Sequence, residues 1–455
     1  MRVPRNPFAH AARYHRRTWI VLALPGVGRA AGDEREAMTT ECRQMGGAAA
    51  CRFCGEVLSD TVVDLGMSPL CESYLRPDQL NASEAFYPLH VYVCRRCWLV
   101  QLEQYVSAEH IFSEYAYFSS FADSWVQHAR DYTNTMIDRF GFGSHSQVIE
   151  LASNDGYLLQ WFVKAGVPSL GIEPAANVAA VAEEKGVSTL VRFFGVELAE
   201  ELTAQGRSAD LLLGNNVLAQ VPDLNDFVAG MKIVLAPRGV LTMEFPHVMR
   251  LIDENQFDTI YHEHFGYFSL HATRTIFRHH GLEVFDVEEI PTHGGSLRVY
   301  ARHAEDETKP VGRAVGELLG REESFGLTGI DRYRTFAAKV EETKRVILEL
   351  LIGLKGAGKT IAGYGAPGKG NTLLNYCGIR TDFLDFTVDR NTYKQGLFLP
   401  GTHIPILGPE EIERRRPDYI FILPWNFKEE IMAQMAGIRE WGGRFIVPIP
   451  RAHLV

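Results

Sequence analysis

Val148-Ile149-Glu150-Leu151-Ala152-Ser153-Asn154-Asp155-Gly156 decides the fold. A short strand-type run passes into a turn of small residues, and a helical pattern opens at Tyr157. Strand, tight turn and helix in that order make the first half of a βαβ unit. A second strand, Leu170-Gly171-Ile172, ends in Glu173, 17 residues after Gly156. Such a sheet holds a nucleoside, because the first turn approaches the ligand closely and the acid ending strand two binds its ribose. Further strands are predicted at Leu211–Leu213, leading to Asn215 and Asn216, and at Gly239–Met243, leading to Glu244. The expected class is α/β, with a doubly wound parallel sheet at its centre.

The turn departs from the dinucleotide pattern G-x-G-x-x-G. Only Gly156 is kept, with Ala152 and Asn154 where glycine is commoner. A pyrophosphate wants bare glycine amides. A cationic sulfonium does not, and it benefits from Glu150 and Asp155 nearby. S-adenosylmethionine is therefore expected rather than a nicotinamide cofactor, with Glu150, Ala152, Asn154, Gly156, Glu173, Asn215 and Asn216 around it.

Upstream stand two knuckles, Cys51-Arg52-Phe53-Cys54 and Cys94-Arg95-Arg96-Cys97. Each turns two thiolates toward one ion, and four thiolates complete a closed tetrahedral zinc site. A redox Cys-x-x-Cys would not need two copies. Cys71 reads as a spare thiol. The intervening Tyr87–Val93 is strand-like. This zinc module lacks a basic patch, so a wall of an active-site cleft is its expected place.

Downstream lies Tyr261-His262-Glu263-His264, four consecutive residues able to take or give protons, beside Asp258, Phe265 and Tyr267. Such a run is poor packing material, since buried His and Glu must be paired or neutral. Just after a nucleotide-binding sheet it points to acid/base chemistry. The duller reading is a solvated loop. Next comes His293-Gly294-Gly295-Ser296-Leu297-Arg298. Its glycines would let amides approach an anion that Arg298 clamps, or form a tight turn between two late strands.

Residues 306–347 read as a helical connector. A second, smaller Rossmann-like sheet follows, with strands predicted at Thr360–Tyr364, Leu384–Val388, Asp418–Leu423 and Arg444–Val447. Gly353–Thr360 matches the P-loop letter for letter, but a P-loop needs a strand before it and a helix after it. Here that order is reversed. The better glycine-rich candidate is Gly365-Ala366-Pro367-Gly368-Lys369-Gly370-Asn371, running from strand to helix, where amides and Lys369 would hold a nucleotide diphosphate. Asp389 and Arg390 end the next strand, at the expected place of a ribose or base.

The chain has 455 residues and a net charge of -10, which argues against nucleic-acid binding. No apolar run approaches the ~20 residues that span a bilayer. Seven cysteines, four of them in two tight pairs, suit metal ligation in a reducing, cytoplasmic setting. The Arg-rich first residues, broken at Pro25, read as a flexible arm or an upstream start before Met38. The expected divisions are an arm at 1–46, a zinc-binding domain at 47–112, a methyltransferase domain at 113–305, the connector, and a Rossmann-like domain at 348–455.

These pieces together resemble the sugar C-methyltransferases of deoxysugar biosynthesis over about residues 50–450. The resemblance rests on the knuckles ending Cys97-Trp-Leu-Val-Gln101, Tyr115-Ala-Tyr-Phe-Ser-Ser120, Glu150-Leu-Ala-Ser-Asn-Asp-Gly156 and Asn216-Val-Leu-Ala-Gln-Val-Pro-Asp223. It continues through Tyr261-His-Glu-His264, His293-Gly-Gly-Ser-Leu-Arg298, Tyr364-Gly-Ala366, Lys394-Gln-Gly396 and Pro400-Gly-Thr-His403. It implies methylation of a nucleotide-linked 4-keto-6-deoxy sugar at the carbon beside the ketone. His264 would be the base, with Tyr261 and Glu263 beside it and Tyr115 closing from the front. Gln220, His293, Arg298, Lys369, Asn371, Asp389 and Arg390 would meet the sugar nucleotide. One position departs: deoxysugar-type members usually carry histidine where this chain has Gln220, and an amide binds a sugar oxygen but carries no proton charge. The alternatives are methylation of a sugar oxygen or nitrogen, and a non-catalytic nucleotide-binding protein. The protein is expected as a monomer or small homo-oligomer.

Overall fold

The computed structural model describes residues 49–113 and 118–455; the predicted arm at 1–46 and Tyr115 lie outside the described residues. Three sheets follow one another. In the first, β1 (Asp60–Ser68), β2 (Tyr87–Val93) and β3 (Val100–Leu102) form an antiparallel ladder extended by a distant strand, β9 (Gly266–Tyr267). The knuckles cap this sheet, with the Gly55 amide closing the first onto the Cys51 carbonyl at 2.9 Å. A left-handed backbone at Gly55 (φ 71°) permits that turn.

The middle sheet contains β4 (Val148–Leu151), β5 (Ser169–Ile172), β6 (Thr189–Leu190), β7 (Ala209–Asn215), β8 (Leu235–Pro246), β10 (Leu282–Ile290) and β11 (Ser296–His303). Their order is β10-β11-β8-β7-β4-β5-β6. The strands β4 to β8 run parallel and β11 runs antiparallel to both its neighbours, which is the class I methyltransferase arrangement. All four residues of β4 are buried, as a central strand covered on both faces requires.

The third sheet, in the order β14-β13-β12-β15-β16-β17, is built from β12 (Ile361–Tyr364), β13 (Thr387–Val388), β14 (Ile406–Leu407), β15 (Tyr419–Ile422), β16 (Arg444–Val447) and β17 (His453–Leu454). It is parallel except for β17. The P-loop look-alike falls between the helix Phe336–Gly356 and β12, the reverse of what phosphate binding demands.

Helices Arg313–Phe325, Ile330–Arg334 and Phe336–Gly356 link the second and third sheets. The first of them does more than connect. Its Glu322 is fully buried and accepts the Leu270 amide at 2.6 Å, the His271 amide at 2.9 Å and His247 Nε2 at 2.7 Å. It thereby satisfies orphan donors at the start of the helix Leu270–His279.

In the middle sheet the chain reverses direction between β4 and β7, and in the third between β12 and β15. Ligands of open α/β sheets bind at such switch points, beyond the carboxyl ends of the strands. Both switch points open onto one cavity of about 580 Å³. Ala152, Asn154, Asn215 and Asn216 line it from one side, and Gly365, Gly368, Lys369 and Pro424 from the other.

Candidate active site

The turn after β4 keeps a glycine-type backbone almost without glycine. Ala152 (φ 55°), Asn154 (φ 48°) and Gly156 (φ 72°) are all left-handed. Two side chains in that region cost strain, which the neighbourhood must overcome. Glu173 does much of this: one oxygen accepts the Asn154 amide and the other the Ala175 amide, both at 2.9 Å. Burial pushes the Glu173 carboxyl up to about 7, against the pull of those amides. The Asn154 side chain in turn accepts the Ser119 amide at 2.9 Å. At Gly156 a side chain would meet the Ala182 Cβ at 3.1 Å, so glycine is needed for space as well as φ. Beyond β7, the buried Asn215 Nδ2 and Asn216 Oδ1 have no protein partner.

The acid/base run forms a buried loop. His264 Nδ1 donates to the Thr259 carbonyl at 3.0 Å, and the His264 amide donates to Tyr261 O at 2.9 Å. That bond places the ring proton on Nδ1 and leaves Nε2 as an acceptor. Burial, with the Lys369 cation nearby, drives His264 down to about 4, so the ring is neutral. The Tyr261 ring packs 4.1 Å from it. Glu263 accepts the Cys71 thiol at 3.4 Å. His262 faces elsewhere, bonding Pro88 O at 3.2 Å.

The rear wall carries two buried lysines in different states. Lys394 is satisfied by Tyr74 Oη (2.7 Å), Ala366 O (3.0 Å) and Glu72 (3.1 Å). Burial alone would lower it, but Glu72 and Asp389 raise it. Lys369 reaches Asn426 Oδ1 at 2.8 Å and lies 4.9 Å from the Trp425 ring centre. Burial lowers it to about 8. Trp425 also donates to Asp258 at 2.6 Å, and burial raises that carboxyl to about 6. Lys369 lines the cavity as a cation with donors to spare.

In the front sheet the four thiol sulfurs lie within 4.8 Å of one another, with Cys51–Cys97 and Cys54–Cys94 at 3.5 Å and Cys54–Cys97 at 3.7 Å. Tetrahedral zinc with sulfur at ~2.3 Å needs sulfurs about 3.8 Å apart, so the set fits. Gln101 Nε2 donates to Cys51 Sγ at 3.2 Å. Arg52, beside Cys51, reaches across to Pro222 O (2.7 Å) and stacks 5.3 Å from the Phe265 ring.

Family models match the chain as a zinc binding domain over residues 51–112, a methyltransferase domain over 125–287 and a C-methyltransferase C-terminal domain over 291–450. C-methyltransferase NovU of Streptomyces niveus is 40% identical over 407 residues, covering 89% of this chain and 96% of the relative. The chain belongs to this C-methyltransferase family. It is an S-adenosylmethionine-dependent enzyme with a zinc-binding front domain, which sets aside the non-catalytic reading. Two solved structures are similar over part of the chain. PH0226 protein from Pyrococcus horikoshii OT3 is 12% identical, covering 43% of this chain and 97% of that one (TM-score 0.35). Magnesium protoporphyrin IX methyltransferase ChlM from Synechocystis PCC 6803 is 15% identical, covering 39% and 81% (TM-score 0.30).

In this C-methyltransferase the cavity gathers Ala152, Asn154, Glu173, Asn215, Asn216, Gln220, Tyr261, Glu263, His264, His293, Lys369 and Asp389. Six expected residues stand outside its lining. Glu150 is fully buried behind the turn with neither oxygen bonded, and burial raises its carboxyl well above the usual range. Gly156 supports the turn from behind. Arg298 is consumed by Glu244 at 3.0 Å and Glu288 at 3.2 Å. Asn371 donates to the Cys71 carbonyl at 2.6 Å, and Arg390 sits outside between Asp123 and Glu430. Glu244, expected at the pocket edge, lies beneath it, bonded to His128, Thr292 and Arg298.

Sequence reading missed Trp125, Asn426 and Glu72, which all line the cavity. It also missed the part played by Cys71, which belongs to the base loop and not to the zinc site. No local pattern marks them, because each acquires its place through contacts between separate sheets.

Proposed function

We propose that this C-methyltransferase acts on a nucleotide-linked 4-keto-6-deoxy sugar, methylating the carbon next to the ketone through an enolate. The observation that carries this reading is the state of His264: neutral, proton fixed on Nδ1 by Thr259, Nε2 left as acceptor at the cavity. A base must present a lone pair to a C–H bond, and this is one.

The sulfonium end of the cavity is assigned to Ala152, Asn154, Glu173, Asn215 and Asn216, where bound S-adenosylmethionine supplies an electrophilic methyl group. The nucleotide half is assigned to Lys369 and Asp389, with Gln220 and His293 toward the sugar. A diphosphate beside Lys369 meets the donors that the protein leaves unused.

In the reaction, His264 Nε2 takes the proton alpha to the ketone. The electron pair moves into the new C=C bond as the carbonyl oxygen gains charge. Tyr261 is placed as a donor to that oxygen, and Glu263 orients the loop from the Cys71 side. The zinc takes no chemical part, since four thiolates leave no open position.

The test is proton exchange. In D2O without a methyl donor, dTDP- or UDP-linked 4-keto-6-deoxyglucose should exchange the hydrogen on the methylated carbon, and His264→Ala should stop it. Absence of exchange in the wild-type enzyme would instead favour transfer to a sugar oxygen or nitrogen, which forms no enolate.

A further inference from the structure

The cavity holds a second buried imidazole whose polarity is the reverse of the first. His293 sits in the turn between β10 and β11 with φ 54° and ψ 20°, a left-handed backbone that histidine adopts only under constraint. Observed strain of this kind is retained where the surroundings enforce it, commonly at working sites.

The enforcement is visible. Gln256 Nε2 donates to Gly294 O at 2.7 Å, and Ser296 Oγ donates to Thr292 O at 2.9 Å. A side chain at Gly294 (φ 93°) would meet Trp425 at 2.7 Å. These contacts leave the turn one position, and that position puts the His293 ring at the cavity.

Its proton is fixed as well. Asn216 Nδ2 lies 2.9 Å from His293 Nε2. An amide nitrogen only donates, so Nε2 accepts and the ring proton resides on Nδ1. Burial, with the nearby Lys369 cation, keeps the ring neutral and holds it down to about 3. The Trp125 ring stands edge-on 4.9 Å away and limits ring rotation.

Two neutral histidines thus meet one cavity with opposite hydrogen-bonding character, each set by its partner. Thr259 O leaves His264 an acceptor; Asn216 Nδ2 leaves His293 a donor. A neutral imidazole is a fitting donor to an enolate oxygen, since it polarises the carbonyl without surrendering its proton to the product.

We propose that His293 is a further catalytic residue, whose Nδ1–H joins Tyr261 in hydrogen-bonding the ketone oxygen and stabilises the negative charge that develops there. This rests on the enolate reading above. The carbon–hydrogen bond breaks, its proton goes to His264 Nε2, and its electrons move onto the oxygen held by His293. When the carbon takes the methyl group the carbonyl re-forms, the His293 proton having stayed on nitrogen throughout.

The experiment follows hydrogen exchange into dTDP-4-keto-6-deoxyglucose by proton NMR in D2O, without methyl donor, for wild type and His293→Phe. Removing one donor to a developing oxyanion lowers rates by about 10²–10³. That loss is expected, with the dissociation constant for S-adenosylmethionine unchanged. Undiminished exchange in His293→Phe beside an active wild type would overturn the assignment and leave the enolate reading intact. A wild type that exchanges nothing would sink both. Should His293→Phe lose S-adenosylmethionine binding, wild-type enzyme labelled with 15N-histidine decides. Saturation with the same sugar nucleotide and S-adenosylhomocysteine should shift the His293 Nδ1–H resonance downfield, and an unmoved resonance would overturn the proposal.

Discussion

Gln101 pairs in register with Gly266, two residues after His264, while its side-chain amide bonds the Cys51 sulfur at 3.2 Å. The metal knuckle and the base loop are therefore joined through one residue. The Leu102 amide adds a bond to Phe265 O at 3.0 Å. In this geometry a zinc ion held by the four thiolates would brace the loop that carries the His264 imidazole.

Removing the metal should consequently damage turnover before it damages methyl-donor binding. For Cys51→Ser, or enzyme stripped by a chelator, we expect kcat to fall by at least about tenfold, since small misplacements at a reacting centre are costly. Calorimetry should still detect S-adenosylmethionine. Full kcat at zero zinc content, measured by atomic absorption, would contradict this.

Substitution of the base is the sharpest catalytic test. General-base contributions are worth about 10²–10⁴, so His264→Ala should retain under about a hundredth of wild-type turnover. Its fold should survive, because the lost hydrogen bond ends on a backbone carbonyl at the cavity edge. Substantial residual methylation would remove His264 from the mechanism.

The buried neutral ring also has a consequence for stability. His264 is held down to about 4 in the folded enzyme, against about 6.5 in the unfolded chain. Between those values the unfolded state binds more protons, so stability is full above about pH 6.5 and falls as pH drops toward 4. The loss from this group is on the order of 3 kcal/mol at the low end. Denaturant midpoints compared at pH 5 and pH 7.5 should differ more for wild type than for His264→Gln. An equal pH dependence in the two proteins would show that the ring is not held neutral.

Two cations that look alike in sequence should separate on mutation. Arg298→Met strands the buried Glu244 carboxylate, and breaking such a pair costs about 3–5 kcal/mol. Thermal melting should expose that loss. Lys369→Met removes a cavity cation whose main protein partner is a neutral amide, so KM for the sugar nucleotide should rise with the melting temperature nearly unchanged. A reversal of these two outcomes would move the diphosphate site to Arg298.

Much of this protein was legible in its linear order. The strands Val148–Leu151, Tyr87–Val93 and Arg444–Val447 fall where their apolar runs and bounding turns place them. The paired cysteine spacings, the misordered P-loop and the Tyr261–His264 run also speak locally, because metal knuckles and strand–turn–helix units are built from neighbours. Roles that depend on distant partners did not. Arg298 reads as an anion clamp until Glu244, 54 residues away, is seen to occupy it. Lys369 opens the helix Gly368–Cys377 and Lys394 sits in a turn, and only Glu72 and Tyr74, from the connection between β1 and β2, distinguish the satisfied one. Which nitrogen of each histidine bears the proton was decided by Thr259 and Asn216, partners that only folding brings within 3.0 Å. Covalent sequence sets what each residue is able to donate or accept; the assembled sheets determine which of those capacities remains unspent at the cavity.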